Sequence, residues 1–523
     1  MSSNRDISQR NAVPSSRFLD ILNYRNRTSP IHSAFGQSMS VQAVTRHLTS
    51  RDFPDEPTPA QEAMLLEDSL WELNRQIEAI TLVHNTLLAE RRLLEETQAA
   101  QKSASRRIPP EILLHIFSYL VEEPLEPFAP SILLRVCTRW YYIVMNNRDL
   151  WTRVTFELPS PRNKIVRHPH TFASAKAHLA RSHPLPVSAC IAFKGQTPHA
   201  DDATAALSIL SNYSGRCAKL YVFYETSEPM YATLNALTRF PPAAVLDTLS
   251  LTVGHGAQER YEYFADDRPT VPYVFFSGQS PKLKLVELNG IAVPWRGPAA
   301  ALTGLEELRL AKHTRTERPS LTEFLDLLAA SPGLERLWIC RSGPRWEDGE
   351  YEDITLPCLT LLSLVDAPPE AVEALQCILP YIVMPNLETL QLSFFDHRLN
   401  KKVDCSAFLD QFSRMKTCSL RSLQLRNAVF ETDALVSLLT EKGTELRELI
   451  LTSTNADDQL LDSLTPSPDP TDWICPQLTS FTLERCDNVS DRGLRVFWRM
   501  RKEGGFLRRL CILNCGGITQ TYV

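Results

Sequence analysis

Cysteine and histidine are the residue types most often used in metal binding and nucleophilic chemistry, and this sequence contains twelve of each. No two cysteines form a Cys-x-x-Cys pair, so neither a zinc ribbon nor a thioredoxin-like redox site is indicated. We expect buried, reduced thiols. Four histidines lie close together in the sequence but not at metal-ligand spacing, and we expect surface residues: His168, His170, His178 and His183.

Motifs for catalysis are not found in the 523 residues. The sequence has no Gly-x-Ser-x-Gly, no Walker loop and no His-Glu-x-x-His, and its 18 glycines are too sparse for phosphate-cradling loops. We interpret the acidic residues at 201–202 as a helix start and those at 347–353 as a solvated loop. The sequence therefore predicts a protein that is not an enzyme, without catalytic residues, metal ligands or cofactors.

A binding site is better supported than a catalytic one. Trp338 lies between the last two apolar residues of a Leu-x-x-Leu-x-Leu segment, where a strand directs the side chain away from the core. Arg309 has the same position one segment earlier, and Arg336 leaves the strand of Trp338 on the same side. Trp and Arg dominate interface hot spots. This aromatic anchor with a basic rim is suited to an acidic or phosphorylated segment.

Two further residues complete the predicted substrate-binding set. Gln391 and Gln424 occupy the position of Trp338 in later segments. An alternative is that the insertion at 341–353, which contains Trp346 and Tyr351, folds over Trp338 and buries it as a core residue.

The Leu-x-x-Leu-x-Leu pattern, with apolar substitutions, recurs along most of the chain. Each strand can bury its leucines only against its neighbours, so a period in this range predicts a solenoid of stacked strand–helix units. Two such units are expected earlier, at 152–182 and 187–216. The eleven copies begin on average every 29 residues, at Cys217, Leu246, Leu283, Leu305, Leu334, Leu359, Leu387, Leu420, Leu446, Leu478 and Leu507.

These repeats resemble a leucine-rich repeat domain. Residues 478–494 and 507–519 match its cysteine-containing subtype, with Cys486 and Cys515 at the cysteine position. The resemblance implies an α/β solenoid in which Cys511 and Cys515 are structural residues. Helix-end signals agree with the alternation of strand and helix, since Ser320 and Glu323 form a capping box and Gly443 follows a helix predicted over 432–441.

Residues 108–151 predict two short helices that cannot bury a core alone. The opening Ile108-Pro109-Pro110-Glu111 favours a helix start, because proline tolerates the first turn and an acid suits the positive helix end. Three prolines between 124 and 130 end this helix. A single second helix is expected to carry the next apolar residues: Ile132, Leu133, Val136, Trp140, Ile143 and Val144.

This segment resembles an F-box. The residues that correspond to the family pattern are Ile108-Pro109-Pro110-Glu111-Ile112, Ser118-Tyr119-Leu120, Arg135-Val136-Cys137 with Trp140, and Leu150-Trp151. Ile108 replaces the usual leucine, and the loop between the helices is longer. The resemblance implies a Skp-type adaptor and, through it, a cullin ubiquitin ligase. The residues expected to form or support the adaptor-binding face are Ile108, Pro109, Glu111, Ile112, Leu113, Ile116, Val136, Trp140 and Trp151.

A long helix or coiled coil is predicted over residues 61–104. Leucines and isoleucines recur at alternating steps of four and three from Leu66 to Leu94, interrupted by His84 and Arg91. Additional apolar residues widen the stripe, which favours docking within the same chain. A homodimer through 61–104 is the alternative. A helix before an F-box is also typical of many fungal F-box proteins.

Composition limits the class of protein and its partners. The net charge of −6 argues against nucleic acid or an anionic membrane as the main partner, and no apolar run approaches a membrane span. We expect a cytoplasmic or nuclear α/β protein with four regions: a disordered N-terminus (1–60), the long helix (61–104), the F-box (105–152) and the leucine-rich repeat solenoid (153–523). The predicted function is substrate recognition in an SCF-type cullin ubiquitin ligase, with a scaffold that acts without ubiquitination as the alternative.

Overall fold

The computed structural model describes most of the chain in segments. The N-terminal region predicted to be disordered lies outside them, apart from residues 59 and 60. The chain divides into two compact units, Met1–Leu113 and Leu114–Val523. The described residues are 59–102, 108–122, 129–158, 172–193, 200–224, 228–254, 275–278, 280, 282–291, 293, 295, 302–349, 351–366, 369–396, 401–415, 420–466, 473–504, 507–516 and 518.

The first unit contains α1 (Pro59–Lys102), a helix of 44 residues. The predicted long helix is therefore confirmed, whereas the coiled coil and the docking within the chain stay predictions. Proline suits the first position, because the N–H it lacks would have no partner within the helix. The large apolar side chains described on α1 are exposed by 38–69%: Met64, Leu70, Trp71, Leu73, Ile77, Ile80, Leu82, Leu87, Leu88, Leu93 and Leu94.

The next helix, α2 (Pro110–Glu122), begins at the predicted proline with Glu111 in its first turn. The prediction of a single helix after α2 is wrong, because the structure has two helices there: α3 (Ala129–Leu133) and α4 (Thr138–Asn146). The Val136 N–H donates to the Leu133 carbonyl in a tight turn, and Cys137 is fully extended. That extended residue ends one helix and starts the other. A short 3₁₀ helix, Arg148–Trp151, follows α4.

Thirteen of the described strands, all in the second unit, form one parallel sheet in which neighbours in the sheet follow one another along the chain. The chain is thus of the predicted α/β class, and the leucine-rich repeat assignment stays a prediction. The strands are β1 (Arg153–Leu158), β2 (Val187–Phe193), β3 (Cys217–Tyr224), β4 (Thr248–Val253), β5 (Leu285–Asn289), β6 (Glu307–Ala311), β7 (Arg336–Cys340), β9 (Leu361–Val365), β11 (Thr389–Ser393), β14 (Ser422–Arg426), β16 (Glu448–Thr452), β17 (Ser480–Glu484) and β18 (Arg509–Leu513).

Helices lie in most of the connections between these strands. Ser320 and Glu323 form the predicted capping box before the helix Leu321–Ala329, and Gly443 follows the helix Thr432–Lys442 as predicted. The helices are α5 (Ala173–Arg181), α6 (Ala200–Ser211), α7 (Glu228–Thr238), α8 (Leu321–Ala329), α9 (Pro369–Ile378), α10 (Ser406–Ser413), α11 (Thr432–Lys442), α12 (Asp458–Leu464) and α13 (Asp491–Glu503).

The leucines of the repeated pattern form the core. Leu308 and Leu310 on β6, for example, are both 1% exposed, and they join one apolar cluster with residues of the helices, such as Phe324 and Leu328 of α8. Because strand side chains alternate, the residues between these leucines lie on the opposite face of the sheet. One face of the sheet therefore carries the leucine core, and the other carries the residues between the leucines.

Tight turns follow most strands of the large sheet, and several of them form a hydrogen bond to the neighbouring strand. The N–H of Lys312, after β6, donates to the Cys340 carbonyl of β7 at 2.8 Å, and the N–H of Arg341 repeats this contact with Val365 of β9. These turn residues have positive φ, which costs a side-chain-bearing residue about 1–2 kcal/mol. The hydrogen bond to the next strand offsets that cost. The non-glycine residues in this conformation after strands are Lys312, Arg341, Asp366, Asn427, Ser453, Arg485 and Asn514.

The described part of the insertion at 341–353 leads into a small separate sheet. In this sheet β8 (Ile354–Thr355) pairs with β10 (Ile382–Val383). The Tyr351 ring packs edge-on against Tyr381 with the ring centroids 5.8 Å apart. Three further short strands form another small sheet: β12 (Phe395–Asp396), β13 (Lys401–Asp404) and β15 (Ala428–Val429).

Candidate functional site

The buried cysteine and histidine side chains have structural rather than reactive environments. Burial raises the pKa of the Cys217, Cys405 and Cys475 thiols to about 12. Only a thiolate is strongly nucleophilic, so these cysteines are inert near neutral pH. Within the described ranges, no group of three or more His, Cys, Asp or Glu side chains is placed to hold a metal ion. No helix there is long and apolar enough to cross a membrane.

The predicted surface position of His178 is wrong. Its side chain is buried, and its Nδ1 lies 2.8 Å from the Arg153 carbonyl oxygen. Burial lowers the pKa of His178. His183 is exposed as predicted, whereas His168 and His170 lie outside the described residues.

Within the second unit, the helices α2–α4 and the turn between α3 and α4 carry exposed apolar side chains, which we call the helical apolar set. On α2, residues 116 and 120 are one turn apart and therefore share a face. A region of short helices that exposes seven large apolar side chains is typical of an interaction site. The set consists of Ile116, Tyr119, Leu120, Ile132, Val136, Tyr141 and Tyr142.

The residues predicted for the adaptor face divide into exposed and buried groups. Leu113 and Trp151 are buried at 2% and 1% exposure. Trp140 is partly buried, and its ring packs against Phe117 at 4.7 Å. Ile108 is also partly buried. The exposed residues of the predicted face are Pro109, Glu111, Ile112, Ile116 and Val136.

Trp151 connects the short helices to the start of the sheet region. Its indole N–H donates to the Val144 carbonyl oxygen at 2.9 Å. The His178 ring packs edge-on at 4.8 Å, and the Arg181 guanidinium lies 4.3 Å from the centre of the indole. Arg153 completes the contact region by donating to the Val121 carbonyl at 3.1 Å. A side chain enclosed in this way can support a binding face but cannot contact a partner directly.

The five residues predicted to bind substrate lie on β6, β7, β11 and β14, with β9 between β7 and β11. The strand register aligns Arg309 with Trp338, and continues from Trp338 through Ser363 to Gln391 and Gln424. Arg336 is two residues before Trp338 on the same strand, so both side chains leave the same face. The register therefore brings the predicted set together on the face opposite the leucine core.

A carboxylate that the sequence analysis missed lies at the centre of this set. Glu307 is only 3% exposed and binds both arginines: its Oε1 lies 2.5 Å from Arg309 Nη2, and its Oε2 lies 2.7 Å from Arg336 Nη2. We call these three residues the arginine cluster. Two guanidinium groups and one carboxylate leave a net charge of one positive unit instead of two. Glu307 lies two residues before Arg309, and residues two apart on a strand share a face. This spacing was the sequence signal from which the pairing of Glu307 could have been predicted.

Trp338 is partly buried beside the arginine cluster. The Arg309 guanidinium carbon lies 5.8 Å from the centre of the indole. The indole nitrogen is buried and has no hydrogen-bond partner in the described part of the chain. The insertion residues have other surroundings, since Tyr351 packs against Tyr381 and Trp346 is 53% exposed. The predicted burial of Trp338 by these two aromatic rings therefore gains no support.

The two glutamines extend the surface toward later strands. Ser363 donates to Gln391 Oε1 at 3.2 Å, and Arg426 donates to Gln424 Oε1 at 3.4 Å. In both contacts the glutamine accepts, which leaves its two amide N–H donors for other partners. The strip from β6 to β14 thus combines a cationic cluster, an indole and amide donors.

Comparison with known proteins gives one family match. The model of the F-box-like family matches residues 106–157, which include the described helices α2–α4 and Trp151. No curated protein matches the chain. The match covers a small part of the 523 residues, and of the sheet it includes only residues of β1.

Proposed function

We propose that this protein is the substrate-recognition subunit of an SCF-type cullin ubiquitin ligase. One observation carries the proposal: the region that matches the F-box-like family also carries the helical apolar set. An F-box-like region suggests a substrate-adaptor role, and exposed apolar side chains are what a tightly bound adaptor would cover.

A Skp-type adaptor is the proposed occupant of this surface, through Ile116 and Val136 of the helical apolar set together with the exposed Ile112. Pro109 and Glu111, which are also exposed, and the partly buried Ile108 are included at the start of α2. Leu113, Trp140 and Trp151, which are buried or partly buried, have the proposed role of holding the helices in position.

The sheet is the proposed substrate-binding domain, and we infer that its units are leucine-rich repeats. The support is the coincidence of the eleven sequence copies with β3–β7, β9, β11, β14 and β16–β18, in order and in register. The buried Cys486 and Cys515 of the last two units also fit the cysteine-containing subtype, because the Cys486 N–H donates to Cys515 Sγ at 3.4 Å.

The proposed substrate segment is acidic or phosphorylated and lies across Arg309, Arg336, Trp338, Gln391 and Gln424. The arginine side chains are about half exposed, at 43% and 47%, and each guanidinium has N–H groups directed away from Glu307 to offer. Arg–carboxylate and Arg–phosphate contacts are strong because both partners are charged. Ubiquitin transfer is assigned to other subunits of the ligase, so this chain is non-catalytic in the proposal.

The adaptor assignment is tested by co-purification from cells. Ile116→Glu with Val136→Glu places two charges in the helical apolar set and should abolish recovery of the Skp-type adaptor and the cullin. Loss of one central anchor typically costs about 2 kcal/mol or more. The matched control is Val496→Glu with Leu513→Glu, two other exposed apolar residues of the second unit, which should leave recovery unchanged.

Two results would contradict the proposal. Undiminished adaptor recovery by the Ile116→Glu, Val136→Glu variant would remove the assigned surface. Recovery of the adaptor without any cullin from the unmodified protein would favour a scaffold that acts without ubiquitination.

A further inference from the structure

Helix α1 carries an apolar seam on its surface. We define the seam as Leu70, Leu73, Ile77, Ile80 and Leu87, which follow the alternating three- and four-residue steps of a heptad repeat. Each of these side chains is at least half exposed. The seam extends over about 26 Å of helix, at about 1.5 Å per residue. Exposed apolar surface of this length needs a covering partner.

We propose that a second copy of this chain covers the seam, so that two α1 helices form a coiled coil. A heptad seam packs as knobs into holes, which requires a facing helix with the same repeat. The next-longest helices in the described ranges, α2 and α13, have 13 residues each, which is less than two heptads. A second copy provides an identical helix of 44 residues.

The polar residues of α1 are consistent with this partner. Gln76 and Thr81 flank the centre of the seam, and uncharged flanks allow two identical helices to approach without repulsion. Arg91, at a seam position, donates to Glu95 Oε1 at 2.8 Å, so its charge is paired at the edge of the helix. His84 is the other polar seam residue, and polar seam residues fix register at a cost in stability. The dimer is therefore expected to dissociate on dilution.

Dimerisation would make the protein bivalent, with two helical apolar sets and two substrate surfaces per particle. A target with two binding segments then binds with an avidity about 10²–10⁴ times the single-site affinity. This inference does not depend on the proposed function, because dimerisation is measured without an adaptor or a substrate.

Light scattering coupled to size-exclusion chromatography tests the proposal on the full chain. The unmodified protein should have twice the monomer mass of 59.2 kDa at micromolar concentration. Leu73→Glu with Ile80→Glu places two charges in the seam and should give 59.2 kDa. The matched control is Met64→Glu with Leu82→Glu, which changes two exposed apolar residues of α1 outside the seam and should leave the mass doubled.

A monomeric unmodified protein would overturn the proposal, as would a seam variant that remains dimeric. Loss of the dimer in both double variants would also overturn it, since the seam would then have no special role. Should the seam variant aggregate, Ile77→Asp, which places a single charge at the centre of the seam, is the milder change. Two differently tagged copies should then co-precipitate when unmodified and fail to do so as Ile77→Asp, and co-precipitation of the variant would count against the seam.

Discussion

Glu307 and Arg336 form an ion pair across two neighbouring strands, and the carboxylate of this pair is almost fully buried. Arg336 Nη2 lies 2.7 Å from Glu307 Oε2, whereas Arg309 occupies the other carboxylate oxygen. One buried anion therefore orients two half-exposed cations on the face opposite the leucine core. The carboxylate also cancels one of their charges, so the arginine cluster carries a net charge of one positive unit.

Replacing Glu307 should lower the stability of the protein and strengthen its binding to acidic peptides. Glu307→Gln keeps the shape of the side chain but removes its charge, so the net charge of the arginine cluster rises from one to two positive units. We expect a loss of about 1–2 kcal/mol in the free energy of unfolding, moderated because the arginines are half exposed. Binding to an array of acidic and phosphorylated peptides should strengthen. The control is Glu335→Gln at an exposed glutamate, and unchanged array signals for Glu307→Gln would contradict the binding surface.

Trp338 is expected to bind substrate through its exposed part. Trp338→Ala should remove proteins from the partner list obtained by proximity labelling, because truncation of an interface tryptophan typically costs about 2 kcal/mol or more. Ile450→Ala changes an apolar residue at the same strand position further along the sheet and serves as the control. An unchanged partner list together with a melting temperature lowered by several degrees would show that Trp338 is a core residue.

Trp151 is expected to stabilise the junction between the short helices and the sheet region. Trp151→Ala should destabilise the protein by about 3–5 kcal/mol, as is usual for large buried aromatic side chains. Trp151→Phe keeps an aromatic ring but removes the indole N–H, while the Val144 carbonyl retains the Asn147 N–H as a donor at 3.4 Å, so the lost contact should cost about 0.5–1.5 kcal/mol. Chemical denaturation measures both values. Equal stability of Trp151→Phe and the unmodified protein would show that the N–H contact contributes nothing.

His313 should make the stability depend on pH. Burial lowers the pKa of His313 to about 3, and its Nδ1 lies 2.8 Å from Ser342 Oγ. The imidazole of an unfolded chain takes up a proton near pH 6.5, but the folded protein does not until about pH 3. The free energy of unfolding should therefore decrease as pH falls below about 6.5, by up to about 1.4 kcal/mol per pH unit.

Urea denaturation between pH 7.5 and 5 checks this dependence. His313→Gln should reduce the slope, and the remaining slope is expected from His178, whose pKa burial also lowers. His183→Gln, at an exposed histidine, is the control for the substitution itself. A slope that is identical in the unmodified protein and in His313→Gln would show that another group is responsible.

The periodic parts of this protein were predictable from local sequence. The capping box of Ser320 and Glu323 lies where the sequence places it, as does the buried position of leucines such as Leu308 and Leu310. Local patterns determine these features because helix ends and strand alternation depend on residues a few positions apart. The break at Cys137 was missed, since an apolar pattern does not show where a helix is interrupted by a turn.

The sequence by itself determined the long helix, the F-box resemblance, the order of the strand–helix units and the residues that lie between their leucines. Tertiary structure decided what those residues meet. The pairing of Glu307 with Arg336 joins positions 29 residues apart, and it exists only because parallel strands align them in register. The burial of His178 under Trp151 and the positive φ of residues such as Lys312 likewise depend on contacts with a neighbouring unit. Such contacts are set by packing between distant segments, which a local pattern does not encode.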